Sequence, residues 1–189
     1  MKLKKNYISL FLFVISCLTT FGEQKIIDKI KQGVLLGYPE TTIGQALEAT
    51  FLSPEWKYIK GKRGENIVQF SGIATESLPL YVYGIVKKEA EKSLLGELVL
   101  LQLFNQIKMA ALLYESSSDP KKAKFAALVN SCNNLEEVFA GIYPVGSLVT
   151  VQFIINANGF GFNIVSVGSE QWLDDMNLEV FLNYVYGKY

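Results

Sequence analysis

Apolar residues recur at two different spacings along this chain, and each spacing predicts a different kind of element. Ile43, Leu47 and Phe51 follow one another at every fourth position, which places all three on one side of a short helix. From Val149 to Ile155 every second residue is apolar, which is typical of a strand that buries one face. Together the two spacings predict an α+β fold, with helices packed on one face of a sheet.

Three helices are expected beside the sheet. The first is expected over residues 23–31. Thr41 or Thr42 is suited to cap the second, a contribution of about 1 kcal/mol. A closing helix is expected over residues 170–186. Its apolar side is built from Trp172, Met176, Val180, Phe181 and Tyr184.

Two hairpins account for the strands. The stretch "EWKYIKGKRGENIVQFSGIA", residues 55–74, holds two alternating runs around the glycine-containing turn "GKRG". The second hairpin runs through "SLVTVQFIINANGFGFNIVSVG", residues 147–168, with its turn at residues 156–159. We therefore expect an antiparallel sheet of about four strands.

A helical insertion separates the two hairpins, from residue 77 to about residue 143. Its segment "SLLGELVLLQLFNQIKMAALLY" approaches the apolar content of a membrane span. Glu97, Asn105 and Lys108 argue against a span, because each polar group is costly in hydrocarbon. We predict a buried or partner-facing helix instead. The residues proposed for a partner surface are Leu94, Leu98, Leu101, Phe104 and Tyr143.

The first residues of the chain have the layout of an export signal. Lys2, Lys4 and Lys5 precede an apolar run from Tyr7 to about Phe21, which is too short to span a bilayer comfortably. This layout predicts an exported protein of the periplasm or cell envelope.

Three interpretations of this N-terminal segment are open. In the first, "VISC" ending at Cys17 is a lipobox like that of bacterial lipoprotein signals, so that residues 1–16 are removed and Cys17 carries the lipid. In the second, Thr20 and Gly22 supply the small residues that a signal peptidase requires, and residues 1–22 are removed. In the third, the segment stays in place as an uncleaved anchor helix.

The remainder, residues 23–189, is long and apolar enough to form a single α+β domain, and half of the whole chain is hydrophobic. The chain has 18 basic and 18 acidic residues, and loss of the three N-terminal lysines leaves 15 against 18, a net charge of −3. Such a surface offers no electrostatic footprint for DNA or RNA.

Cys17 and Cys132 are the only cysteines. Because either cleavage leaves Cys17 unavailable as a disulfide partner, Cys132 is expected to pack as a small apolar side chain.

Two stretches, "GYPETTIGQALEATFLSPEWKYIKGKRGENIVQFSG" and "VTVQFIINANGFGF", resemble a widespread family of small exported or lipid-anchored bacterial proteins. That family shares a Thr-Thr-Ile/Val-Gly helix start, a Pro-x-Trp strand entry, a Val-x-Phe-x-Gly strand and a later Val-x-Ile/Val-Gln-Phe strand. The matching positions are Thr41, Thr42, Ile43, Gly44, Pro54, Trp56, Val68, Phe70, Gly72, Val151, Gln152 and Phe153.

The resemblance covers less than half of the chain. It implies a small α+β fold and export, and no reaction, since the family has no assigned activity. The helical insertion departs from the family pattern, in which a short link joins the hairpins. A function special to this chain is therefore expected in the insertion.

Catalytic chemistry is limited by what the chain lacks. It contains no histidine, which removes the usual nucleophile systems and the commonest zinc sites. Two adjacent carboxylate pairs remain, Asp174-Asp175 and Glu136-Glu137, but neighbours on a helix point about 100° apart. We interpret both pairs as favourable charges in the first turns of helices. We predict no catalytic residue, no cofactor and no metal.

These observations favour an exported cell-envelope protein without enzymatic activity, which binds a protein partner or a second copy of itself through the helical insertion. Its membrane contact is then a lipid anchor at most, and no nucleic acid is expected as a partner. One alternative is a carrier of an apolar ligand or lipid, with its cavity between the sheet and the insertion. Another is a histidine-free hydrolase of envelope polymers, which needs a cleft where a carboxylate meets a second carboxylate or a lysine.

Overall fold

A computed structural model describes residues 22–156 and 161–187 of the chain. Its centre is a four-stranded antiparallel sheet, in which the strands lie side by side in chain order. The strands are β1 Leu52–Lys60, β2 Asn66–Ile73, β3 Leu148–Ile155 and β4 Phe162–Gly168. The helices are α1 over residues 22–31, α2 Ile43–Thr50, α3 Ser77–Ala90, α4 Gly96–Tyr114, α5 Pro120–Ser131, α6 Leu135–Ile142 and α7 Leu178–Val185. The predicted α+β class, the two hairpins and the helical insertion between them are confirmed.

The alternation of apolar and polar residues decides which face of the sheet is buried. On β2 and β3, Phe70 lies opposite Val151 and Val68 lies opposite Phe153. All four side chains are at most 1 % exposed. Phe51, which ends α2, covers this face with its ring centre 5.7 Å from that of Phe70. The helices therefore pack on the apolar face, as the pattern predicted.

The opposite face of the sheet is polar in its middle. Lys57, Gln69, Gln152 and Ser166 stand side by side across the four strands. The side-chain amide of Gln152 donates a hydrogen bond to Oε1 of Gln69 at 2.9 Å. This row places polar side chains on the side of the sheet that the core does not use.

The threonine pair before α2 serves as a helix cap, and Thr42 is the residue that makes it. The backbone N–H of Gln45 donates to Oγ1 of Thr42 at 3.3 Å, and the backbone N–H of Thr42 donates to Oε1 of Gln45 at 3.1 Å. This reciprocal pair is a capping box. The cap starts the helix whose apolar stripe is buried as predicted, with exposures of at most 3 % at Ile43, Leu47 and Phe51.

Thr42→Ala is expected to lower the free energy of unfolding by about 1 kcal/mol, because the backbone N–H of Gln45 loses its acceptor in the cap. Urea denaturation measures the change. Thr41→Ala is the matched control, since the bonds of the cap run to Thr42, and should change stability by less than about 0.5 kcal/mol. Equal losses in the two variants would contradict this assignment.

The closing helix is shorter than predicted. It begins at Leu178 rather than near residue 170, because Asn177 caps it by accepting a hydrogen bond from the backbone N–H of Glu179 at 2.8 Å. Two apolar residues expected on this helix are buried in the loop before it instead, namely Trp172 and Met176. Both side chains fix the loop to the core, although their spacing fits a helix. The predicted start of the closing helix near residue 170 is therefore wrong.

Some predictions fall where the structure gives no description. These are the N-terminal segment with Cys17 and most of the turn at residues 156–159. At the edge of that turn, the backbone N–H of Asn156 donates to the carbonyl oxygen of Gly161 at 2.8 Å. Cys132 is described, and it is free and buried as expected. Its burial raises the pKa of the thiol, so the group stays protonated and packs as an apolar side chain.

Candidate interaction surface

Helix α4 is buried along one side only. Ala111 is fully buried, and Phe104 and Ile107 pack partly against the core. The ammonium of Lys108 lies beside the same side, 3.4 Å from the carbonyl oxygen of Asn130 at the end of α5. The insertion thus holds α4 by one stripe of its surface.

The other side of α4, with the turn before it, is a continuous apolar surface. At about 100° per residue, the members within α4 fall on one side of the helix, and Leu94 and Leu95 lie in the turn before it. Every leucine and methionine in it is more than 50 % exposed. We call it the α4 outer face, and it consists of Leu94, Leu95, Leu98, Leu101, Gln102, Asn105, Met109, Leu112 and Leu113. Contiguous exposed apolar surface of this kind marks interaction sites.

Of the five residues proposed for a partner surface, three are exposed, one is half-buried and one is buried. The three leucines lie on the α4 outer face. Phe104 is half-buried on the packed side, where the ammonium of Lys108 lies 5.2 Å from its ring centre. Tyr143 is buried, and its ring meets that of Trp172 edge to face at 5.2 Å. The prediction for Tyr143 is wrong, because the loop before α7 folds over it.

Sequence analysis also missed the second half of this surface. Met109, Leu112 and Leu113 continue the spacing of three and four residues through the end of α4. The same helical period that selected Leu98 and Leu101 would have found them. The structure extends the surface along the whole helix.

Tyr143 makes the stability of the fold depend on pH in the alkaline range. Burial first, and then the negative charges of Asp174 and Asp175, raise the pKa of its phenol to about 12. In the unfolded chain a tyrosine ionises near pH ~10. The folded form therefore keeps its proton where the unfolded form loses it, so the stabilisation is complete below pH ~10 and is lost as pH rises towards ~12.

Replacement of this phenol should flatten the alkaline limb of the stability profile. Between pH ~9 and pH ~12 the free energy of unfolding should fall in both chains. We expect the fall to be about 2 kcal/mol smaller in Tyr143→Phe than in the parent chain. Urea denaturation at a series of pH values measures both profiles. Parallel profiles for the two chains would contradict the assignment.

A cleft of about 590 Å³ lies between α4, α5 and the loop before α7. Its apolar lining includes Tyr114 and Phe125, whose rings meet edge to face at 6.3 Å. The ammonium of Lys122 lies 5.3 Å from the centre of the Tyr114 ring. The charged groups at this cleft are Asp119, Lys121, Lys122, Asp174 and Asp175.

Two of these carboxylates make local bonds. Asp119 caps α5 by accepting from the backbone N–H of Lys121 at 2.9 Å, and Asp174 accepts from the backbone N–H of Asp175 at 2.9 Å. The Asp174-Asp175 pair lies in a loop, so its predicted place in the first turn of a helix is wrong. The local bond offers the backbone an alternative to a helix.

Glu136-Glu137, by contrast, lies in the first turn of α6, as predicted. Glu137 accepts from the backbone N–H of Asn133 at 2.7 Å, which fits a charge at a helix N-terminus. Within residues 22–156 and 161–187, no three acidic or cysteine side chains gather closely enough to hold a metal ion.

A groove of about 790 Å³ lies between α3 and α7. Leu80, Ile85 and Val180 contribute its apolar part, and Lys88 and Glu179 are among the charged residues beside it. The carrier alternative placed its cavity between the sheet and the insertion. This groove instead separates the first helix of the insertion from the closing helix.

Comparison of the chain with models of known protein families, with curated proteins and with solved structures found no match. The resemblance to small exported bacterial proteins therefore stays a prediction. In the part of the chain that the structure describes, no helix combines the length and the apolar character needed to cross a membrane.

Proposed function

We propose that this chain is an exported cell-envelope protein that acts without catalysis, by presenting the α4 outer face to a protein partner or to a second copy of itself. The observation that carries the proposal is the row of leucine and methionine side chains on that face, each more than half exposed. Apolar area in water is unfavourable by about 25 cal/mol per Å². A rigid helix that keeps so much of it in water is suited to be covered by another molecule.

The composition of this face supports a protein as its partner. Glu97 and Lys108 are the only charged residues of α4, and both stand at its border. The exposed end of α3 shows the contrast, because Lys87, Lys88 and Glu89 cover it with charge. Depletion of charge in the middle of an exposed surface is a feature of protein interfaces.

The fold supports the proposal by anchoring the insertion that carries α4 to the rest of the domain. The rings of Tyr81 on α3 and Tyr184 on α7 lie 5.3 Å apart, and the hydroxyls of Ser77 and Tyr184 are hydrogen-bonded at 2.8 Å. Through these contacts the insertion rests on the closing helix. A surface held in this way is ordered before a partner arrives, which lowers the entropy lost on binding.

Site-specific photocrosslinking in the native host tests the surface. A benzophenone side chain at Leu101 should give a covalent adduct, either with another protein or with a second copy. The matched control is the same group at Leu36, a fully exposed leucine in the loop between α1 and α2, which should give none. Equal labelling at the two positions, or no adduct at Leu101, would overturn the proposal.

Export is supported by the basic and apolar N-terminal layout, and mass spectrometry of the mature protein tests it. We expect a chain that begins either at a lipid-bearing Cys17 or at Glu23. A cytosolic chain that retains Met1 would contradict export and leave the proposed interaction surface to be judged by the photocrosslinking.

The cleft with Asp119, Asp174 and Asp175 favours a second candidate function, a histidine-free hydrolase of envelope polymers. It brings carboxylates and lysines to one opening, as that chemistry requires. Under this alternative, Asp174→Asn and Asp175→Asn abolish hydrolysis of peptidoglycan or of an envelope polysaccharide, whereas Glu136→Gln on α6 does not. Failure of the parent chain to cleave any such polymer would remove it.

A further inference from the structure

We infer that the partner of the α4 outer face is a second copy of this chain, and that the two α4 helices pair antiparallel about a two-fold axis near residues 103 and 104. This inference rests on the proposed function, because it names the partner of the same surface. It goes further by assigning the direction and the register of the contact. Three independent features of α4 support it.

The first feature is that the α4 outer face has the same character when it is followed from either end. Counted outward from the midpoint between residues 103 and 104, an amide comes first on each side, at Gln102 and Asn105. Leu98 and Met109 follow at equal distances from that midpoint. Leu101 is the exception, because its counterpart is the polar Gln106. Further out, Leu112 and Leu113 correspond to Leu95 and Leu94 in the turn before α4.

A two-fold contact requires this symmetry. In such an interface each residue meets the counterpart that lies at the same distance on the other side of the axis, so the surface must be complementary to itself. Apolar ends then cover apolar ends, and the amides lie together at the centre. Because an amide has both donors and an acceptor, Asn105 or Gln102 can hydrogen-bond to its own copy across the axis.

The second feature is charge complementarity. About 100° per residue places Glu97 and Lys108 on the same border, where the outer face meets the packed side, roughly 20° apart around the helix. The Lys108 ammonium lies at that border over the ring of Phe104. In the antiparallel pair, Glu97 of one copy lies within about 3 Å, along the helix axis, of the level of Lys108 of the other. In a parallel pair each charge would stand beside its own kind, which is unfavourable. The charges therefore select the antiparallel direction.

The third feature is the area available. Residues 94–113 extend for about 30 Å, and a helix with its side chains is about 11 Å across. Covering half of that circumference removes about 500 Å² from each copy, or about 1,000 Å² in total, which is the lower limit for a specific interface. The contact is thus large enough for a reversible dimer whose population rises with concentration.

Sedimentation of the full chain tests whether the dimer exists. We expect a monomer–dimer equilibrium, and at least a tenfold weaker association in Leu98→Glu, which puts a charge within the apolar row. Leu36→Glu is the matched control and should leave the association unchanged. Both leucines are exposed, so equal melting temperatures will show that folding is intact. A monomer at every concentration would overturn the inference.

Disulfide trapping tests the direction, in a full chain with Cys17 and Cys132 replaced by alanine. A mixture of the Leu98→Cys and Met109→Cys chains should form a mixed disulfide, because those positions face each other in the antiparallel pair. Leu98→Cys alone should not dimerise, since its two copies would lie about 16 Å apart along the axis, beyond the reach of about 7 Å between Cα atoms. A Leu98→Cys homodimer would indicate parallel pairing and overturn the assignment.

Reversal of the two charges gives a third test. Glu97→Lys should weaken the dimer several-fold, because two lysines then share each border, and Lys108→Glu added to it should restore the association. No recovery in the double variant would contradict the register.

Self-pairing and the proposed function can fail separately. A chain that sediments as a monomer but gives an adduct with a different protein at Leu101 would overturn self-pairing and leave the proposed function standing. A monomer that gives no adduct at Leu101 would overturn both. An adduct of twice the chain mass, together with the mixed disulfide, is the result that we expect.

Discussion

Phe70→Ala is expected to lower the free energy of unfolding by about 3–5 kcal/mol, the largest effect of any change considered for this protein. Phe70 is fully buried on β2, and the rings of Phe51 and Trp56 lie 5.7 Å and 5.0 Å from its own. Truncation leaves a cavity between helix and sheet that these rings cannot fill. Because a folded domain is stable by only about 5–15 kcal/mol, this loss is a large share of the total.

Urea denaturation of Phe70→Ala measures that loss. Leu36→Ala serves as the control, since this leucine is fully exposed and should change stability by no more than about 0.5 kcal/mol. A loss below about 1 kcal/mol for Phe70→Ala would mean that the sheet face is not packed as described.

Gly72→Ala is the second large effect, and we expect it to lower the free energy of unfolding by about 2–3 kcal/mol. A Cβ atom at Gly72 would lie 2.6 Å from Cβ of Phe51 and 2.9 Å from Cζ of Phe70. Both neighbours are buried, so relief requires movement of α2 or of the strand. The close approach gives a physical reason for a glycine at this position of β2.

Gly84→Ala provides a control with the opposite sign. Gly84 lies inside α3, and a Cβ atom there would meet nothing within 4 Å. Alanine favours a helix over glycine by about 1 kcal/mol, so this change should leave stability unchanged or raise it. If chemical denaturation shows equal losses for Gly72→Ala and Gly84→Ala, crowding at Gly72 is not the cause.

The sheet and the helical insertion differ in how far they bury their apolar residues. The sheet with α2 and α7 buries its apolar residues, and there Val68, Phe70 and Val151 are at most 1 % exposed. In the insertion, α4 is richer in leucine than those elements, with six leucines among its 19 residues, yet its outer face lies in water. Phe70→Ala therefore tests folding, whereas Leu98→Glu tests association, and the two effects should be independent because the sites share no contact among those described.

The local elements of the sheet follow from the order of residues alone. Alternation from Val149 to Ile155 is enough to assign β3 and its buried face, because successive side chains of a strand point to opposite sides. The spacing of Ile43 and Leu47 is enough to assign α2, and the capping residues before it mark its start. Only neighbours along the chain take part in these effects.

Contacts between distant parts of the chain settled the rest. Tyr143 and Trp172 are buried because they meet each other across the insertion and the loop before α7, and no local pattern records that meeting. The same holds for α4, whose period shows an apolar helix but not which side the neighbouring helices cover. Burial depends on what comes to lie beside a residue in space, so the exposed outer face of α4 became visible only when the whole chain was folded.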